Sequence, residues 1–122
     1  LAGALSRYGD GDGSPRWLVL ADDALRAALD RRWSLAELAA AAGVHPARLA
    51  RGFRRSYGES VGERLRRLRL EAARAALARP GSDLAGVAHE CGFADQSHLT
   101  RAFRKAFGVT PGAFRCRRGF SP

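Results

Sequence analysis

DLAGVAHECGFADQSHLTRAFRKAFGVTPGAFR, the stretch from Asp83 to Arg115, decides the fold. It reads as two short helices around a tight turn. Advancing about 100° per residue from Leu99 puts Ala102, Phe103, Ala106 and Phe107 on one side of the second helix. Ser97, Arg101, Arg104 and Lys105 fall on the other side. The first side anchors the helix to a core, and the second suits a polyanion.

The design occurs twice. Leu35, Ala36, Ala39 and Gly43 recur 49 residues later as Leu84, Ala85, Ala88 and Gly92. After one extra residue in the second turn the displacement becomes 50. Leu49, Arg51, Phe53, Arg54, Gly58 and Gly62 then recur as Leu99, Arg101, Phe103, Arg104, Gly108 and Gly112. Two copies are too few for a solenoid and point to paired modules of one kind.

Charge follows the same organisation. The chain has 122 residues and a formal net charge of +9, unevenly placed. Residues 1–47 carry 5 Arg against 6 acids, whereas residues 48–79 carry 10 Arg against Glu59, Glu63 and Glu71. Residues 101–118 carry 6 cations and no acid. Cations at matching positions of two helices point to nucleic acid before membrane. No apolar run approaches the roughly 20 residues of a membrane span, so no membrane partner and a cytoplasmic location are expected. Cys91 and Cys116 are the only cysteines. They form no C-x-x-C pair, and His89 beside Cys91 offers too few ligands for zinc. Cys91 reads as a small core residue, and neither a metal nor a cofactor is expected.

Outward from the repeat, the rest of the chain falls into place. Residues 1–8 read as one end of a helix, and Gly9 to Pro15 as a flexible break. The DGDG within it lacks the later ligands and the closing Glu of a calcium loop. Residues 1–16 are therefore read as a linker or the tail of a missing N-terminal domain. The absence of any Met makes the chain look like a fragment or a processed product. Trp17 to Trp33 is expected to be a helix, with Leu18, Leu25, Ala28 and Leu29 inward and Asp22, Asp23 and Asp30 on its wet side. Ser34-Leu35-Ala36-Glu37 is a capping box for a short helix ending at Gly43. Pro46 fits the first position of the next helix, with His45 as a poor N-cap. That helix runs to Tyr57 and turns Leu49, Phe53 and Tyr57 inward. Gly52 in its middle costs about 1 kcal/mol relative to Ala and reads as close packing against the preceding helix.

Ser60 is expected to cap a long helix reaching about Arg79 and stopping at Pro80-Gly81. Val61, Leu65, Leu68, Ala72, Ala75 and Ala76 make its packing stripe. Arg64, Arg66, Arg67, Arg69 and Arg74 read mostly as a solvated face. Its length of about 30 Å approaches the roughly 34 Å between successive major-groove faces of B-DNA. Asp83 and Asp95 cap the second pair of helices, and Gly108 ends it. Thr110-Pro111 starts a last short helix through Phe114, followed by a basic tail at Arg115, Arg117 and Arg118. The fold class is all-α, about seven helices. Residues 17–118 form the double unit, with 17–58 first, 60–79 as linker helix and 82–118 second.

The run Cys91-Gly92-Phe93-Ala94-Asp95-Gln96-Ser97-His98, then Arg101-Ala102-Phe103-Arg104, then Phe107-Gly108-Val109-Thr110-Pro111, then Phe114-Arg115, resembles the signature of the AraC/XylS family of transcription regulators. The resemblance covers roughly Asp22 to Arg118. It implies two homeodomain-like helix-turn-helix units joined by a long helix, each placing a recognition helix in the major groove of double-stranded DNA. It also implies a missing N-terminal sensor domain that binds a small effector, and RNA polymerase as a further candidate partner.

The residues themselves give roles to the two exposed faces. In the second recognition helix Gln96, Ser97, His98 and Arg101 occupy the first turns, where the resemblance also places base contacts. Arg forks onto guanine and Gln onto adenine. Thr100, Arg104 and Lys105 lie further along and suit phosphate. His98 either donates to a base or packs against its own turn. In the first helix the matching positions are Ala47, Arg48, Ala50 and Arg51, flanked by Arg54 and Arg55. Alanine touches a thymine methyl but cannot hydrogen-bond, so Arg48 and Arg51 are expected to do most of the reading there, less sharply. An enzyme is not expected, because no nucleophile is paired with a base. Two other readings stay open: a nonspecific architectural DNA-binding module, and the DNA-binding part of a DNA-repair regulator.

Overall fold

Caps and left-handed glycines divide the chain into its helices. Gly43, Gly58 and Gly108 adopt φ of 74°, 72° and 80° at the ends of three of them, a region in which a side chain is strained. The computed structural model describes the backbone of residues 14–119 and the side chains of residues 14–115. Seven helices and no strands lie within these residues: α1 Arg16–Ala27, α2 Leu35–Ala42, α3 Pro46–Tyr57, α4 Val61–Leu77, α5 Leu84–Glu90, α6 Gln96–Phe107 and α7 Pro111–Gly119. The expected helix end at 1–8 and most of the 9–15 break lie outside the described residues.

The chain divides into two compact units. The first takes in residues up to Ala28 and Arg32–Leu65, and the second Leu29–Arg31 and the chain from Arg66 onward. In the first unit α1, α2 and α3 enclose Leu18, Ala21, Leu25, Leu38, Ala39, Leu49 and Phe53, all fully buried. The expected capping box is present: Ser34 Oγ accepts from Glu37 N–H, and Glu37 returns the bond to Ser34 N–H. A second box, Ser60 with Glu63, starts α4.

In the second unit Ala73, Ala76 and Leu77 of α4 pack with Val87, Ala88, Cys91, Phe93, Leu99 and Phe103. Asp83 caps α5 through Gly86 N–H, Asp95 caps α6 through His98 N–H, and Thr110 caps α7 through Ala113 N–H.

Several expectations need correction. The first helix ends at Ala27, not Trp33, because the Trp33 indole donates to Ala28 O at 3.1 Å and holds the chain in a turn. Asp22 is not on a wet side: it is 7% exposed and receives a fork of hydrogen bonds from Arg64 Nε and Nη2. Arg64 is accordingly buried rather than solvated, also reaching Glu59 at 3.2 Å and lying over the Tyr57 ring. Arg69 is likewise occupied, donating to Leu29 O and Arg31 O. Ala75 and Ala106, placed on packing stripes, are exposed. Helix α4 has 17 residues, or about 25 Å, because the chain turns at Ala78 before Pro80 is reached. Helix α7 runs past Phe114 to Gly119. The neighbour of Gly52 is Trp17 of α1, not α2: a Cβ there would sit 2.7 Å from the indole.

Candidate nucleic-acid interface

Each candidate reading helix is fixed from behind and exposed in front. In α3, Leu49 and Phe53 are fully buried, and His45 Nδ1 accepts from Ala47 N–H at 3.1 Å as the N-cap. Ala47, Arg48, Arg51, Arg54 and Arg55 are exposed, and Ala50 is half-buried. In α6, Leu99 and Phe103 are fully buried. Gln96, Ser97, Arg101, Arg104 and Lys105 are exposed, while His98 and Thr100 are half-buried. The structure therefore brings the predicted residues onto two helix faces, one in each unit.

These faces carry unneutralised charge. Arg54 reaches Glu63 at 3.4 Å, an exposed pair of the kind worth at most about 1 kcal/mol. Among the described residues no carboxylate pairs with Arg48, Arg51, Arg55, Arg101, Arg104 or Lys105. The guanidinium of Arg48 instead lies over the Trp17 ring, 5.4 Å from its centroid. His98 packs on its own turn: Nδ1 accepts from Ala94 N–H at 3.2 Å, and the ring meets Phe93 edge-on. Acceptance at Nδ1 leaves the proton of the neutral ring on Nε2, as a donor.

Trp17 is the residue that sequence reasoning missed. With Pro15, Arg48, Arg51, Gly52, Arg55 and Ser56 it lines a cleft of about 780 Å³ beside α3. The signal was Gly52, which marks where α1 approaches the helix. Behind the faces, two titratable groups are shifted. Burial raises the Asp22 carboxyl, but the bonds and charges of Arg64 and Arg26 outweigh it and hold the group below its ordinary range. Burial, helped by Glu90, pushes the Cys91 thiol up, which leaves it a packed thiol rather than a nucleophile. Among the described residues no group of three His, Cys, Asp or Glu is placed to hold a metal. No described helix is long and apolar enough to cross a membrane.

Comparison with known proteins agrees with this architecture. The helix-turn-helix domain family model matches residues 38–117. An AraC-like transcription regulator of Streptomyces antibioticus is 36% identical over 107 residues, covering 81% of this chain and 35% of its own length. The HTH-type transcriptional regulator GlxA of Rhizobium meliloti is 33% identical over 95 residues, with 78% and 29% covered. Among solved structures, the DNA-binding domain of AdpA, a global transcriptional factor in complex with a target DNA, is 26% identical. It superposes with a TM-score of 0.76 over 85% of this chain and 97% of that one. A transcriptional regulator with an AraC-type domain from Chromobacterium violaceum shares the fold at a TM-score of 0.79 and 24% identity, all of both chains being covered.

The chain belongs to the AraC-type helix-turn-helix family. It spans about a third of the length of the curated relatives it matches. The proteins it resembles are transcription regulators, not enzymes.

Proposed function

We propose that this chain is the sequence-specific, double-stranded-DNA-binding part of a transcription regulator, residues 17–58 and 82–118 each supplying one reading head and residues 60–79 the link. The observation that carries the reading is the matched pair α3 and α6. Both are pinned by a Leu and a Phe at equivalent positions and present unpaired cations outward. Arg48 and Arg51, and Gln96, Ser97, His98 and Arg101, are the base-side groups. Arg54, Arg55, Thr100, Arg104 and Lys105 serve phosphate, and Ala47 and Ala50 admit a thymine methyl. The regulators it resembles are more than twice as long, which supports a further domain sensing a small effector. RNA polymerase is the protein partner of such a reading, and the cytoplasm its location.

The test is selection of bound sites from random duplexes, followed by a salt titration. Two preferred boxes about one helical turn apart are expected. Affinity should fall with salt at about −0.9 in log–log slope per phosphate neutralised. Equal affinity for selected and random duplex would favour the architectural reading, and salt-insensitive binding would exclude this mechanism. The link is tested separately by inserting one alanine after Arg74, which turns the following residues by about 100°. A well-folded insertion variant should bind a two-box site no better than a one-box site, because the tethering advantage is lost. Unchanged two-box affinity would sink the idea of a rigid link.

A further inference from the structure

The cleft between α1 and α3 has no place in a helix-turn-helix reading confined to recognition helices. Among the described residues its lining is cationic and contains no acid: Arg48, Arg51 and Arg55, with Trp17, Gly52, Ser56 and Pro15. None of the three guanidinium groups has a carboxylate partner among the described residues. The Ser56 hydroxyl, half-buried, makes no hydrogen bond to a described residue. Three like charges face one space with no counter-charge among the described residues. Mutual repulsion of such groups is relieved by an anion. Guanidinium forks and a hydroxyl are the donors that hold phosphate oxygens. Trp17 gives the site a fixed wall. Its ring is half-buried against the helix at Gly52, and its face restrains Arg48 by a cation–π contact.

We infer that this cleft is a phosphate-binding site, formed by Arg55 and Ser56 against Trp17 beside the base-side Arg48 and Arg51, and that its occupant is the sugar–phosphate backbone of DNA. The inference rests on the proposed DNA reading and adds α1 to the interface. Two observations favour a polymer over a free anion. A space of about 780 Å³ is far larger than one phosphate and accommodates a run of backbone. Arg48 and Arg51 also belong to the reading face, so the cleft continues that face around the flank of α3. The second unit does not repeat the arrangement. Counting from the buried residues Leu18, Ala21 and Leu25, which match Leu70, Ala73 and Leu77 of α4, the position of Trp17 is taken by Arg69. That arginine is committed to Leu29 O and Arg31 O.

The test is Arg55→Gln, read by fluorescence anisotropy on the selected duplex and a scrambled one between 50 and 200 mM salt. The expected result is a log–log slope reduced by about 0.9, so that the deficit against wild type shrinks about 3.5-fold over that range. Base preference should stay unchanged. Trp17→Leu should also lose affinity while Trp17→Phe retains it, thermal melting confirming that all three variants fold. Scanning the wild-type complex with single methylphosphonate substitutions should locate one or two sensitive phosphates that become insensitive in Arg55→Gln. An unchanged slope and an unchanged methylphosphonate profile would overturn the inference while leaving sequence-specific binding intact. Quenching of tryptophan fluorescence by inorganic phosphate or pyrophosphate, abolished by Arg55→Gln while the DNA slope stays unchanged, would also overturn it, in favour of a free anion. Failure of the wild type to bind any duplex would instead count against the DNA reading itself.

Discussion

The first and second units repeat one backbone plan and close the same corner with different chemistry. At the end of α3, Tyr57 lies under the Arg64 guanidinium, 3.6 Å from its ring centroid, and Arg64 forks onto buried Asp22. At the end of α6 the residues in the matching places are Phe107, Phe114 and Arg74, displaced by 50, 50 and 52 from Tyr57, Arg64 and Asp22. There Phe103 meets Phe107 at 4.6 Å and Phe114 at 5.7 Å, and Arg74 lies over Phe107. The arginine has moved from the helix after the recognition helix to the helix that precedes the helix-turn-helix pair of its unit. The plan demands a cation over the terminal aromatic ring, but it does not dictate which element supplies it. One unit thereby acquires a buried charge pair and the other an aromatic cluster.

The largest expected effect tests that contrast. Asp22→Ala removes the carboxylate that the buried Arg64 forks onto and leaves Glu59 beside it, a change that costs about 3–5 kcal/mol when a buried pair is broken. Arg74→Ala, which removes an exposed cation over Phe107, should cost no more than about 1 kcal/mol. The Asp22 carboxyl is held below its ordinary range in the folded state, so the unfolded chain binds its proton at higher pH. The stabilisation is therefore full above the unfolded value of about 3.9 and is lost as pH falls through the folded value. Denaturant melts of the wild type and Asp22→Ala should converge on acidification through and below that range. A gap independent of pH would show that Asp22 acts by packing alone. Asp22→Leu combined with Arg64→Met removes both charges and should recover part of the loss.

How much of this was legible depended on whether the signal was local. The caps at Ser34, Ser60, Asp83 and Asp95 and the glycine stops are read from neighbours in the chain, and they stand where expected. Buried Leu49 and Phe53 of α3 and Leu99 and Phe103 of α6 follow from helical period alone, which also put exposed Ala106 inward. Asp22 and Arg64 were misread because they lie 42 residues apart, and a charged residue on an amphipathic helix looks solvated until its partner is seen. Trp33 carries no local mark of a turn either, since its bond to Ala28 O depends on the fold of the loop. The two candidate reading faces were legible as patterns of exposed cations. The cleft at Trp17 was not, because it depends on how α1 crosses α3.

A smaller effect distinguishes the heads in binding. Arg101→Ala should weaken the selected site by about 1–3 kcal/mol and relax one base pair of the box under α6. Arg51→Ala should cost a similar amount but blur its box less, because Ala47 and Ala50 leave fewer hydrogen bonds there to define a base. Arg104→Ala should lower specific and nonspecific affinity alike. Repeating the site selection with each variant reads this directly, and the assignment fails if Arg101→Ala leaves every base preference intact.

Smaller again is the exchange of Gly52 and Ala102, which occupy the same place in the two recognition helices. Ala102→Gly loses helix propensity and should cost about 1 kcal/mol. Gly52→Ala gains the same propensity but drives a Cβ to 2.7 Å from the Trp17 ring. Overpacking of about 1–3 kcal/mol should outweigh the gain, for a net loss of up to about 2 kcal/mol. Both substitutions should therefore destabilise. A more stable Gly52→Ala variant would mean that Trp17 shifts without cost, and that α1 does not hold α3 in place.

The smallest difference lies at the entry to the two recognition helices, where His45 in the first matches Asp95 in the second. His45 caps through a ring nitrogen that reaches only Ala47 N–H, at 3.1 Å. Asp95 accepts from His98 N–H at 2.8 Å and adds a negative charge where the helix dipole favours one. Aspartate is also among the strongest N-cap residues. His45→Asp should therefore stabilise the first unit by about 0.5–1 kcal/mol, a rise of a few degrees in melting temperature. The same carboxylate would stand at the mouth of a face built from Arg48, Arg51 and Arg55. It should lower affinity for DNA, and the loss should fade as salt screens it. Stability and binding are thus expected to move in opposite directions, and a thermal melt paired with a salt-dependent binding curve measures both. If His45→Asp binds DNA as well as the wild type at low salt, the start of α3 does not face the phosphates, and the first unit does not use its recognition helix as the second does.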